Sequence, residues 1–282
     1  MNTESQKGKQ QTTENRTQDQ SQDKIAATLS QIDHKLLVMS GKGGVGKSSV
    51  SATLAIRLAA RGHRVGLLDV DIHGPSLAAM MGAGGLLDVD DQKRVLPQSV
   101  SPRLSLVSMQ SLMPDADQAV IWRGPAKTGV IRQFIGDVYW GPLDYLVIDA
   151  PPGTGDEPLS VAQAVPDARA IIVTTPQEVA LGDVRKSINF CRVINLSILG
   201  LLENMGPFAC PCCGKEIELF KSGGGEITAE QMGIHFLGTL PFDSDVVKAC
   251  DSSLPAYMRT HTTAFTEAAD ALVQKIVSVC GA

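Results

Sequence analysis

The sequence predicts an α/β fold: a doubly wound, mostly parallel sheet with helices on both faces. Three observations predict it. Short apolar runs alternate with helical patterns at βαβ spacing. The runs are continuous rather than alternating, as strands covered on both sides require. And one of them leads directly into a glycine-rich turn that opens a helix, GKGGVGKS at 41–48.

In chain order, residues 1–24 contain six Gln and no hydrophobic residue after Met1. Such a stretch cannot bury enough apolar surface to offset its ordering entropy. It reads as part of a disordered polar tail over 1–33, within which IAATLSQI can add a short helix. A single domain is expected over 34–282. KLLVMS (35–40) reads as a buried strand. KSSVSATLAIRLAARG (47–62) reads as a helix, with Val50, Leu54, Ile56 and Leu58 in the core and Gly62 ending it. Strands follow at 64–70, 104–109, 143–150, 168–175, 197–204 and 235–240. TGVIRQFIGDVYW, ALGDVRKSINFCRVI and DSDVVKAC read as intervening helices, and TTAFTEAADALVQKIVSVC as a closing one. No internal repeat is found.

Composition narrows the function classes. The 282 residues are 43% hydrophobic, 20% charged and 4% aromatic, with 27 Gly. The net charge is −5, and no basic run is found, so nucleic-acid binding through a positive face is not expected. No stretch approaches the ~18 consecutive apolar residues of a membrane helix, and no signal-peptide core is found. A cytoplasmic protein is expected, and its six cysteines then read as metal ligands, redox groups or core residues before disulfides.

GKGGVGKS fits G-x-x-x-x-G-K-[ST], in the strand-to-helix context the motif needs. Gly41, Gly43, Gly44 and Gly46 let the backbone curl around Val45, so that N–H groups face a phosphate. The helix start, with Ser48 and Ser49, adds a favourable dipole. Lys47 is expected to neutralise β/γ oxygens of ATP, and Ser48 to ligate Mg²⁺. Lys42 is either solvated or a second cation for the phosphates; spacing leaves both open.

LLDVDIHGPS sets Asp69 and Asp71 at the end of the second strand, and LVIDAPPGTGD sets Asp149 at the end of a later one. Ligands of open α/β sheets lie outside these carboxyl ends. Asp149 and Asp69 are candidates to hold Mg²⁺ with Ser48, Asp69 or Asp71 to orient water, and Gly153 and Gly155 to sense the γ-phosphate. His73 reads as a loop residue. Trp122 and Arg123 read as a structural corner or a partner-facing surface.

FACPCCGKE is the remaining feature, in a Cys-bearing loop expected over 208–225. Cys210 and Cys213 form a C-x-x-C pair able to converge on one metal centre. Cys212 reads as a spare or transient ligand. Cys191, Cys250 and Cys280 read as core residues in helices. The motif by itself leaves an iron–sulfur cluster, zinc and a redox dithiol open. Four-thiolate clusters and Cys₄ zinc both need two such pairs, so two chains bridged by one centre fit the arithmetic.

SGKGGVGKS, DVDIHGPS, VIWRGP, LDYLVIDAPPGTGDEP, VTTPQEVALGDVRKSI, LGLLENM, CPCCG and FLGTLPFD together resemble the Mrp/ApbC group. These are ATP-dependent iron–sulfur cluster carriers of the SIMIBI, MinD/ParA-like class of P-loop NTPases. The resemblance runs from about Lys35 to about Asp245. It implies a homodimer around two nucleotides, with slow switch-type ATP hydrolysis. It implies a labile [4Fe–4S] cluster on Cys210 and Cys213 of both chains, passed from scaffold proteins to apo iron–sulfur acceptors. It also implies that Lys42 reaches the partner's nucleotide, Asp71 activates water with Asp69 in support, and Asp149 lies near Mg²⁺. It further implies that Asn204 reads the adenine, with Pro241 and Asp243 in the loop beside it. The first 40 residues hold no Cys, so the second cluster of some relatives is not expected there.

Two rival readings share the P-loop. A MinD/ParA-like positioning ATPase, with zinc at its dimer interface, fits less well, because the last helix lacks the basic amphipathic face of a membrane anchor. An electron-transfer ATPase resembling the nitrogenase iron protein would draw its thiolates from separate parts of the chain.

Overall fold

The computed structural model describes residues 22–71, 74, 76–112, 124–210 and 212–281. Its frame is an eight-stranded sheet in the order β10-β7-β6-β1-β5-β2-β4-β3. The strands are β1 (Ile32–Ser40), β2 (Val65–Asp69), β3 (Gln98–Ser101), β4 (Leu104–Ser108), β5 (Leu143–Asp149), β6 (Arg169–Thr174), β7 (Ser197–Gly206) and β10 (Phe236–Pro241). β3 runs antiparallel to β4; every other pairing in this sheet is parallel. A separate two-stranded ladder, β8 (Phe208–Ala209) with β9 (Glu216–Ile217), carries the cysteine turn.

Helices cover both faces. On one lie α2 (Lys47–Ala60), α3 (Leu77–Met80), α8 (Ser244–Cys250), α9 (Leu254–Thr260) and α10 (Ala264–Cys280). On the other lie α1 (residues 22–29), α4 (Gly124–Asp137), α5 (Asp156–Ala164), α6 (Glu178–Val193) and α7 (Gly224–Met232). The central strands are buried throughout: residues 35–40 of β1 and all five of β2. This is why they read as continuous apolar runs. Val50, Leu54, Ile56 and Leu58 of α2 are buried as expected.

The folded chain begins earlier than the polar tail expected over 1–33. Residues 22–29 are helical, and β1 starts at Ile32. Ile25 and Leu29, four residues apart on one helical face, are buried in the same cluster as Phe134 and Val138. The Thr28 hydroxyl donates to the Gly136 carbonyl at 3.2 Å. Two apolar residues at helical spacing, this hydrogen bond and the Lys24–Asp137 ion pair at 3.0 Å together dock the segment.

β1 pairs with β5 on one side and β6 on the other. The crossovers that leave the neighbours β1 and β5 run in opposite directions, to β2 and to β6, so a crevice opens at the carboxyl ends of β1, β5 and β2.

Candidate functional site: a phosphate cradle, a base cavity and a thiol turn

The turn between β1 and α2 shapes a cavity of about 260 Å³. Lys42, Gly43, Gly44, Gly46, Lys47, Ser48 and Ser49 line it, with Asp71 and Gly74 opposite. Gly46 needs its lack of a side chain twice. Its φ is 78°, and an added Cβ would lie 2.3 Å from Asn204 Nδ2. Gly41 is equally confined: a Cβ there would meet the Asp183 carbonyl at 2.6 Å. The Ser40 hydroxyl donates to the Lys42 carbonyl at 2.9 Å and sets the start of the turn.

Asp149, fully buried, anchors the base of the cradle. Its Oδ2 accepts from Ser48 Oγ at 2.6 Å, and its Oδ1 from Ser51 Oγ at 2.6 Å. Lys47 Nζ lies 2.8 Å from Oδ2, also buried. That ion pair has no aligned hydrogen bond. The ammonium donors therefore remain available to an anion entering the cavity, which is the fit a phosphate needs. The hydroxyl and carboxylate oxygens of Ser48 and Asp149 form a hard-oxygen donor pair suited to Mg²⁺.

Asp69 is the register partner of Asp149 across β2 and β5. Both its oxygens are engaged internally: Ser108 Oγ donates to Oδ2 at 2.9 Å, and the Asp71 N–H donates to Oδ1 at 3.1 Å. Burial, then the Asp149 charge, pushes its carboxyl up to about 7. Asp69, expected beside Mg²⁺, thus lies behind the cradle and off its wall. Asp71 is on the wall, its Oδ1 accepting from Gly74 N–H at 3.3 Å. The Gly153 N–H is already spent on the Ser40 carbonyl at 2.9 Å, and Gly155 caps α5. His73, Trp122, Arg123 and Pro211 lie outside the described residues.

A second cavity, about 240 Å³, adjoins the first through Gly46 and Ser49. Asn204 of β7 forms one wall, and Pro241, Phe242 and Asp243 another. Asn204 is 7% exposed, and its Nδ2 donates to the Val45 carbonyl at 3.0 Å, which ties the strand to the phosphate turn. The Asp243 carboxylate caps α8, accepting from Asp245 N–H and Val246 N–H, and from Tyr257 Oη at 3.3 Å.

The thiol turn follows β7. Cys210 is partly buried, while Cys212 and Cys213 are exposed. The Cys210 N–H donates to the Lys215 carbonyl at 2.9 Å, and the Gly214 N–H to the Cys210 carbonyl at 2.8 Å. The N–H groups of Cys212 and then Cys213, followed by the Cys213 thiol, hold the Cys210 thiol below its usual range. Donors aimed at one sulfur, with a second thiol at C-x-x-C spacing, suit a thiolate-bound metal centre. The turn offers two of the four thiols that a Cys₄ centre takes. Among the described residues no group of three or more His, Cys, Asp or Glu could hold a metal within one chain. Cys191 is fully buried, and burial pushes its thiol up to about 11. Cys280 is buried and Cys250 half-buried.

Sequence reasoning missed Ser51, Ser108 and Glu203. Ser51 could have been found: it lies three residues after Ser48, on the same helical face. Ser108 closes a strand next to β2, but no motif marks it.

A parallel sheet, a phosphate turn and strand-terminal carboxylates behind it define a P-loop NTPase of the MinD/ParA architecture. MinD from Pyrococcus horikoshii, solved with Mg-ADP, has the same fold. It is 20% identical with a TM-score of 0.65, over 88% of this chain and 97% of that one. The chain belongs to the ParA group's NUBPL iron-transfer P-loop NTPase family, whose model matches residues 31–277. It is 46% identical to the iron-sulfur cluster carrier protein of Methanocaldococcus jannaschii, over 82% of this chain and 80% of the relative. It is 48% identical to the cytosolic Fe-S cluster assembly factor CFD1 of Eremothecium gossypii, over 80% and 83%. A nucleotide-binding protein from Archaeoglobus fulgidus, solved with ADP and containing cobalt, is 39% identical. Its TM-score is 0.73, over 84% of this chain and 93% of that one. No described helix is long and apolar enough to cross a membrane.

Proposed function

We propose that this chain is a slow, switch-type ATPase that carries a labile [4Fe–4S] cluster across a homodimer and delivers it to apo iron–sulfur proteins. The observation that carries this reading is the thiol turn itself. Two thiols at C-x-x-C spacing, one of them held by backbone N–H groups, stand in the turn of the β8–β9 ladder that follows β7, the strand that carries Asn204. The names and identities of the relatives support the same cargo.

On this reading ATP lies across the two cavities. Lys47 turns from Asp149 to the β/γ oxygens, and the N–H groups of residues 43–48 cradle the phosphates. Ser48 and Asp149 hold Mg²⁺, which supplies charge neutralisation at the phosphates. Asp71 holds the attacking water, Asn204 reads the base, and Lys42 reaches the partner's nucleotide. Hydrolysis takes ATP and water to ADP and phosphate. The cluster moves by ligand exchange: an acceptor thiolate replaces each carrier thiolate, with no net redox change. Exposed Cys212 and Cys213 leave the cargo open to such attack, and a cytoplasmic setting keeps the thiols reduced.

Iron and acid-labile sulfide per chain, after anaerobic reconstitution, test the reading alongside native mass. About four of each per dimer, lost in Cys213→Ala, is the expected result. About one zinc per dimer and no sulfide would replace the carrier with a zinc-stapled ATPase dimer.

A further inference from the structure

A ring contact joins the base cavity to the strand that leads into the thiol turn. Phe242 lines the cavity, and its backbone N–H donates to the Gly206 carbonyl at 3.0 Å. Its ring lies 5.3 Å from that of Phe208, tilted by 58°. Phe208 opens the β8–β9 ladder, two residues before Cys210.

The far end of the turn is held by the same strand. Glu203, 1% exposed, accepts from the Gly225 N–H at 2.7 Å, at the start of α7. A Cβ at Gly225 would lie 3.0 Å from the Glu203 carboxylate, so the approach is close. Its neighbour Asn204 points to the opposite face, as adjacent strand residues do, and bonds the phosphate turn through Val45. The segment between these anchors has little core of its own: a ladder of two residue pairs and mostly exposed side chains. Segments so built open easily and respond to small biases.

We propose that the Phe208–Phe242 ring pair couples occupancy of the base cavity to the order of the Cys210–Cys213 turn. A base seated between Asn204 and Phe242 fixes the Phe242 ring. That ring restrains Phe208, and the ladder closes over the thiols. By linkage, whatever staples the thiols tightens nucleotide binding by the same factor. The inference rests on the assignment of the second cavity to a nucleotide base. It deepens the proposed function by naming the contact through which nucleotide state and cargo communicate.

Residue-resolved iodoacetamide labelling of the reduced, metal-free full chain tests it, with and without saturating Mg-ADP. In the wild type ADP should slow alkylation of Cys210 and Cys213 about fivefold, the lower end of measured site-to-site couplings. Phe208→Ala should lose that protection and, by the same linkage, bind ADP about fivefold more weakly, while Phe208→Tyr keeps both. Should Phe208→Ala lose its fold by circular dichroism, Phe208→Leu decides, since it removes the ring and keeps apolar bulk. Protection that persists without the ring, or wild-type protein that binds ADP with no protection, overturns this inference alone. Wild-type protein that does not bind Mg-ADP overturns the nucleotide-site reading and this inference with it. Normal coupling in a chain that never takes up iron and sulfide leaves the inference standing and removes the cluster.

Discussion

Lys47 Nζ and Asp149 Oδ2 lie 2.8 Å apart with both side chains buried, so the cation of the phosphate turn is parked on the acid behind it. A buried pair that loses one partner leaves an uncompensated charge, at a cost of about 3–5 kcal/mol. Lys47→Ala should therefore be damaging twice. Urea unfolding of nucleotide-free protein should show a loss of about 3 kcal/mol, and calorimetry should show ADP affinity reduced by roughly a hundredfold or more. Wild-type ADP affinity in this variant would remove the phosphate-cradle assignment.

Gly46 joins the two cavities. A methyl group there meets Asn204 Nδ2 and strains a left-handed backbone. The backbone conformation alone costs about 1–2 kcal/mol. Gly46→Ala should lower stability by at least that amount and should weaken ADP binding, since Asn204 must leave Val45. Gly43→Ala, with nothing within 4 Å of its added Cβ, is the control. A melting temperature equal to that of the control would show that neither the Asn204 contact nor the left-handed backbone carries a cost.

How much of this was legible from the sequence depended on what carried each signal. The parallel strands were readable because burial on both faces makes them continuous apolar runs. Lys47, Ser48 and Asp149 were readable because a phosphate turn imposes both residue type and spacing. β3 was not: QSVS is an edge strand with no fully buried residue, so it leaves no apolar run. Helix α1 was half hidden, because only Ile25 and Leu29 face the core. The internal engagement of Asp69 and the capping role of Asp243 depend on partners 39 residues away in one case and two or three in the other. Motif matching reads neither, since it assigns an acid by its position and not by what its oxygens touch. The Phe208–Phe242 contact joins residues 34 apart and carries no local pattern.

The cysteines divide by environment. Cys210→Ser and Cys213→Ser alter a turn at the surface, where substitutions usually stay within about 0.5 kcal/mol. They should abolish iron and sulfide uptake and leave the melting temperature unchanged. Cys191→Ser puts a hydroxyl into a fully buried site whose sulfur lies 4.0 Å from that of Met39. An unsatisfied hydroxyl there costs about 1–3 kcal/mol, with cluster content per folded chain unaltered. Parallel iron assay and thermal melts check both halves. Loss of iron in Cys191→Ser with intact folding would move the ligand set away from the turn.

Asp69 gives the fold a pH dependence of unusual sign. Burial, and then Asp149, raise its carboxyl to about 7 in the folded chain, against about 3.9 when unfolded. Between these values the folded state holds the extra proton, so Asp69 erodes stability as pH rises from about 4 to about 7, and the loss then levels off. An ordinary ion-paired carboxylate does the opposite. Asp69→Asn removes the ionisation while retaining an oxygen for the Asp71 N–H and an amide for the Ser108 hydroxyl. Melting temperatures of nucleotide-free, metal-free protein at pH 5 and pH 8 check the sign. The variant should gain on the wild type at pH 8 relative to pH 5. A gap that does not change with pH would mean that Asp69 carries its charge in the folded chain throughout this range, with Lys47 offsetting its burial.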